Sequence, residues 1–158
     1  MLRLKRMQLG RRTRPVHEVP LSAESQRKRG KVARHSIHSN GAPEAVGPYS
    51  QGVWAGDLLY LSGQAPLDPA TGKLVEGDVG LQTRRVFDNL EAVLASAGLA
   101  THDVVKCNVY LTDMDDFAAM NEIYGQRFTP PFPARSTVAV AALPLGARVE
   151  IELIAKRP

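Results

Sequence analysis

Near its C-terminal end the chain alternates without a break: Val149, Ile151 and Leu153 are apolar, while Arg148, Glu150 and Glu152 between them are charged. Successive side chains of a strand point to opposite faces, so this run fits a half-buried strand with one face in a core and the other kept polar. A chain with such a strand needs a sheet that is covered on one side. The segment from Arg135 to Val140 repeats the pattern, Arg135 and Thr137 alternating with Ser136, Val138 and Val140. Leu143-Pro144-Leu145-Gly146 lies between the two as a connection. An arginine entering one strand and a carboxylate in the next leave two readings open from the residues alone: a solvated salt-bridge face, or a pocket for a small carboxylate.

The remaining elements follow in chain order. Gly47-Pro48-Tyr49-Ser50-Gln51-Gly52 leads into a strand at Val53-Trp54, Ala55-Gly56-Asp57 is a turn, and Leu58 to Gln64 is a second strand. Asp78 is placed to cap a long helix whose apolar stripe is Val86, Phe87, Leu90, Val93, Leu94 and Ala97, and Gly98 ends it. Val105, Cys107, Val109 and Leu111 alternate with Lys106, Asn108 and Tyr110 in a third strand. Asp113 or Asp115 caps a second helix with Phe117, Met120, Tyr124 and Phe128 on its apolar face, stopped by Pro130-Pro131. Two helices with one stripe each, and strands that alternate, predict an α+β protein: one sheet with both helices on a single face. Thr137 and Arg148 are expected on the sheet's other, solvated face. The Val and Ala there favour partial burial through self-association.

Charge divides the chain in two. Residues 1–34 hold eleven basic side chains against Glu18 and Glu24, a formal +9, and the rest carries nine basic and fourteen acidic groups, −5, giving +4 in all. The expected organisation is therefore a basic, unstructured extension over 1–37 and a folded domain over 38–158. Three readings of the extension stay open: a mitochondrial transit peptide, an arm that contacts nucleic-acid phosphates, or a segment without function. No secretory signal is read in it. A single cysteine allows no intramolecular disulfide, the four histidines show no metal-ligand spacing, and no apolar run is long enough to cross a bilayer. The expectation is a metal-free, soluble protein of the cytoplasm, or of the mitochondrion if the arm is a transit peptide.

Gly47-Pro48-Tyr49-Ser50-Gln51-Gly52, Leu61-Ser62-Gly63-Gln64, Asp88-Asn89-Leu90, Phe132-Pro133-Ala134-Arg135-Ser136 and Val149-Glu150-Ile151-Glu152 together resemble the RidA (YjgF) reactive-intermediate deaminase family, over about residues 38–156. The resemblance implies a chorismate mutase-like fold with one mixed β-sheet, a homotrimer, and clefts between subunits. It implies hydrolysis of enamine and imine acids released by pyridoxal-phosphate enzymes, 2-aminoacrylate and its tautomer 2-iminopropanoate giving pyruvate and ammonia. The family's arginine corresponds to Arg135, its water-handling glutamate to Glu150, and cleft-lining groups to Tyr49, Ser62 and Asn121. Where a cysteine often follows the arginine by two positions, this chain has Thr137, which argues against a covalent thiol step.

The chemistry of these residues suits the role. A guanidinium matches a carboxylate bidentately, so Arg135 would hold the acid end of a 2-imino or 2-oxo acid. Glu150 would take a proton from water and pass one to the departing nitrogen, with a pKa raised by its surroundings. Neither metal nor organic cofactor is called for. Each residue also has a structural reading: Tyr49 packing on its turn, Ser62 bonding to backbone, Asn121 on a polar helix face, Glu152 pairing with Arg148. Two rival functions remain beside the deaminase: a non-catalytic 2-oxo acid-binding module, and an RNA-interacting protein or ribonuclease acting through the basic arm.

Overall fold

The computed structural model describes residues 34–158, so the roles expected of the basic arm lie outside the described residues apart from its last few positions. Six strands form one sheet in the order β1-β2-β3-β6-β4-β5: β1 His35–Ile37, β2 Gly52–Ala55, β3 Leu58–Leu61, β4 Val104–Leu111, β5 Ala134–Ala139 and β6 Val149–Lys156. All neighbours are antiparallel except β4 and β5, which makes the sheet mixed. The helices are α1, Val79–Ser96, and α2, Phe117–Arg127. β1 pairs with β2 on the N-terminal side of the expected 37/38 boundary.

The alternation of β6 is realised as expected. Val149, Ile151, Leu153 and Ala155 are buried, joined by Cys107, Val109 and Leu111 of β4 and Leu59 and Leu61 of β3. Against this face pack Val86, Phe87, Leu90, Val93 and Leu94 of α1 and Met120, Ile123 and Tyr124 of α2, in one continuous core. Both helices thus cover one face, and β6, central in the sheet, supplies the apolar row beneath them. One expectation is corrected in β4. A break in register between Val104 and Lys106 puts Val104 inside and leaves Val105 exposed, because the extra residue of a bulge inverts the alternation behind it.

Local signals set the ends of the helices. The Asp78 carboxylate accepts from the Leu81 N–H at 2.8 Å, capping α1. At the other end the Leu99 N–H reaches the Leu94 carbonyl at 2.9 Å across Gly98, whose φ of 73° is open to glycine at little cost. Asp113 does not cap α2 directly; it accepts from Asp115 N–H at 2.9 Å and caps a short 3-10 turn, Met114–Asp116, that feeds the helix.

The uncovered face carries Lys106, Asn108 and Tyr110 of β4, Glu150 and Glu152 of β6 and Tyr60 of β3, following the pairing register. Glu152 accepts from Asn108 Nδ2 at 2.7 Å and from the Tyr110 hydroxyl at 3.1 Å, so its partners are on the neighbouring strand. Arg148 instead pairs with Asp116, Nη2 to Oδ1 at 2.6 Å and Nε to Oδ2 at 3.0 Å. Thr137 is not on the solvated face either. It pairs in register with Val109 on the helix side, and its hydroxyl is buried without a hydrogen-bond partner among the described residues.

Candidate active site

All of the residues singled out from the sequence except Thr137 gather at two clefts. The first lies at the β5 edge beneath α2, encloses about 330 Å³, and is lined by Asn121, Tyr124, Gly125, Phe132, Pro133 and Arg135. Arg135 enters β5 opposite Cys107, which directs it to the helix side of the sheet. Its Nη1 donates to Asn121 Oδ1 at 2.8 Å, and its Cζ stands 4.4 Å from the centroid of the Tyr124 ring and 5.6 Å from that of Phe117. Arg127 and Arg148 are matched to carboxylates, but Arg135 has none among the described residues. An aromatic face and a neutral amide orient a guanidinium while leaving its charge to be met by something else.

The second cleft, about 530 Å³, opens beside the uncovered face of the sheet and includes Tyr49, Ser62, Gly63, Leu145 and Glu150. β3 ends at Leu61, short of the strand expected through Gln64, and the chain turns so that Gln64 bridges Ile151 through both backbone groups, at 2.9 and 3.3 Å. This sets Gly63 directly over the Glu150 carboxylate, where a Cβ would collide with it. Ser62 Oγ donates to the Ser50 carbonyl at 2.7 Å, tying down the segment that carries Tyr49. The same segment is anchored by the buried Gln51 amide, which accepts from Ser39 N–H at 2.6 Å and donates to the Pro43 carbonyl at 2.8 Å. Tyr49 is half exposed, and its hydroxyl accepts from Val46 N–H at 3.3 Å.

Burial, and after it the nearby Glu152 carboxylate, raises the pKa of Glu150 above the ordinary glutamate range. A raised carboxylate accepts a proton more readily near neutrality than an exposed one, the property wanted of a general base. Burial also pushes the Cys107 thiol up to about 12, despite the opposing charge of Arg135 nearby, so the chain's one cysteine is an inert core residue. Among the described residues no group of three or more His, Cys, Asp or Glu is placed to hold a metal ion.

Arg135 and Asn121 therefore share one cleft, and Tyr49, Ser62 and Glu150 share another; Thr137 lines neither. The sequence reading did not single out Tyr124, Phe117, Phe132 or Gly63. Asn121 and Tyr124 stand three apart on α2 and so point the same way, the one signal available, but Tyr124 was accounted for by the apolar stripe.

A single mixed sheet, two helices on one face, and a cationic cleft at one edge with a carboxylate cleft on the other side define a small α+β protein with divided binding machinery. The chain belongs to the RidA/YjgF family: the family model described as Endoribonuclease L-PSP matches residues 39–157. It is 56% identical to Protein DfrA of Myxococcus xanthus over 127 residues, covering 79% of this chain and 97% of that one. It is 47% identical to the 2-iminobutanoate/2-iminopropanoate deaminase of Mus musculus over 124 residues, 78% of this chain and 92% of the relative. The crystal structure of RidA from the Antarctic bacterium Psychrobacter sp. PAMC 21119 superposes with a TM-score of 0.75 at 48% identity, over 78% of this chain and all of that one.

Proposed function

We propose that the protein hydrolyses 2-imino acids and their enamine tautomers to 2-oxo acids and ammonia, as a homotrimer in which the Arg135 cleft of one subunit faces the Glu150 cleft of the next. The observation that carries this reading is the division itself. Arg135 is held with its charge unmatched on one side of the sheet, and Glu150 sits half-buried with a raised pKa on the other. Each cleft has half of what the reaction needs. The exposed Tyr60 and Val138 on the uncovered face supply apolar surface for association.

In the assembled cleft Arg135 grips the substrate carboxylate through its fork of N–H donors, which fixes the adjacent imine carbon. Glu150 accepts a proton from a water as the oxygen bonds to that carbon, giving a carbinolamine. Glu150 returns that proton to the imine nitrogen. The carbinolamine hydroxyl then gives up its own proton, which Glu150 passes to the amine, so that the C–N bond breaks, ammonia leaves, and the remaining oxygen becomes the carbonyl of the 2-oxo acid. An enamine substrate first takes a proton at its terminal carbon to become the imine.

The family model's description names an endoribonuclease. Residues 35–158 carry a formal −5, and a polyanion needs the opposite sign along its contact surface. Within the folded domain charge thus favours a small acid held at one cationic point, and a nucleic-acid role would rest on the +9 of residues 1–34 instead.

The test couples the full chain to a serine dehydratase and follows loss of the imine. The protein is expected to accelerate loss well beyond buffer, and Arg135→Ala to lower kcat/KM by about a hundredfold, the scale of a lost positioning contact. Wild-type protein no faster than buffer contradicts the enzymatic reading.

A further inference from the structure

Arg135 is a long, flexible side chain on an edge strand, and its usefulness as a grip depends on what keeps its guanidinium in one place. We propose that Tyr124 is the positioning residue for Arg135, acting through the face of its ring and not through its hydroxyl. The assignment rests on the reading of Arg135 as the carboxylate grip.

The Cζ of Arg135 lies 4.4 Å from the Tyr124 centroid, well inside the range at which a ring quadrupole attracts a guanidinium. The ring itself cannot shift. It is 5% exposed and packs against Phe128 at 4.7 Å between centroids and Phe87 at 6.0 Å. These partners lie in the core under α1, so the platform beneath Arg135 is continuous with the most rigid part of the domain. Asn121, one turn earlier on α2, holds Nη1 at 2.8 Å, and Phe117 flanks the group at 5.6 Å, so successive turns of one helix define its position.

The hydroxyl contributes none of this. It is buried with no nitrogen or oxygen partner among the described residues, and it faces the Cys107 thiol, a weak acceptor. A phenyl ring in the same place would offer Arg135 the same face and remove an unsatisfied group. No carboxylate among the described residues performs the holding, which distinguishes this arginine from Arg127 and Arg148 and keeps its fork available for the substrate.

The experiment measures binding of 2-oxobutanoate by calorimetry and turnover of 2-iminopropanoate, using the full chain. Tyr124→Leu, which keeps apolar volume and discards the π face, is expected to weaken 2-oxobutanoate binding and raise KM by roughly tenfold, with a smaller fall in kcat. Tyr124→Phe is expected to restore both to within about twofold of wild type. To separate the ring's electrons from its packing, position 124 is also filled with phenylalanine, 4-fluorophenylalanine and 3,4,5-trifluorophenylalanine. Affinity should fall stepwise as fluorination drains the ring face, and this series stays decisive if the leucine variant does not fold. Affinity flat across the fluorinated series, or a phenylalanine variant as weak as the leucine one, overturns the assignment. Wild-type protein that binds 2-oxobutanoate tightly but turns over no imine overturns the deaminase reading and leaves the role of Tyr124 intact.

Discussion

Arg135 and Glu150 occupy opposite faces of the same sheet. Arg135 pairs in register with Cys107, whose side chain is in the core under the helices, whereas Glu150 pairs with Tyr110 on the uncovered face. Pairing partners in a sheet share a face, so the two side chains of one chain are directed apart by the backbone itself. A reaction that uses both would draw them from two copies of the chain, as proposed above.

Gly63 is a steric requirement of the Glu150 cleft. A Cβ there meets the Glu150 carboxylate, and the backbone is held on one side by the Gln64–Ile151 bridge and on the other by the Ser62 N–H donating to the Gln51 carbonyl at 3.0 Å. Gly63→Ala should therefore lower kcat/KM by about a hundredfold through displacement of the carboxylate, with a modest change in Tm. An alanine variant of wild-type activity would show that the position of Glu150 is immaterial.

The pH dependence follows from the direction of the Glu150 shift. Its folded pKa lies above the ordinary glutamate range, because burial first and Glu152 second oppose the charged form. As the base it works deprotonated, so kcat/KM should fall on the acid side with a midpoint above the ordinary glutamate value. Glu152→Gln removes the like charge and should move that midpoint down, though not fully, since burial remains. For stability the sign is reversed: a raised carboxylate favours the fold below its unfolded pKa and loses that advantage as pH rises through the folded value. Glu150→Gln should accordingly gain stability relative to wild type as pH increases through that window. Carbon-detected NMR titration of Glu150 checks both statements.

Asp116 is buried and holds Arg148 by two bonds just before β6 begins. Asp116→Ala leaves the guanidinium without its partner and opens a gap at the start of α2. The expected loss is about 2 kcal/mol in urea unfolding. A change within a few tenths would mean the pair is a solvated surface contact.

Much of this architecture is legible in the sequence, because it is written in periodicity and caps. The alternation of Val149 to Leu153 gave the central strand and its faces, Asp78 and Gly98 the ends of α1, and the Phe117, Met120, Tyr124 stripe the buried side of α2. What depends on partners far along the chain was not legible. β1 is three residues on a sheet edge, with too little pattern to stand out. The bulge at Val104/Lys106 inverts a parity that local alternation reads the other way. Local pattern puts Arg148 in water or beside Glu152 on its own strand, but its partner Asp116 lies on another element. Local alternation puts Thr137 on the solvated face and leaves Arg135 open between such a face and a pocket; pairing with Val109 and Cys107 sets both on the helix side of the sheet. In the clefts, Tyr124 shows how one side chain serves both core and site, a double use that an apolar stripe conceals.

If each site is completed by two subunits, as proposed, two separately crippled variants must restore one another in mixed trimers. Arg135→Ala and Glu150→Ala proteins, each inactive alone, are unfolded together, refolded as a mixture and assayed for imine hydrolysis. Random trimers place an intact Arg135 cleft opposite an intact Glu150 cleft at one interface in four, so the mixture should recover about a quarter of wild-type activity. A mixture as inactive as either variant, with mixed trimers confirmed by native mass spectrometry, would contradict the shared site.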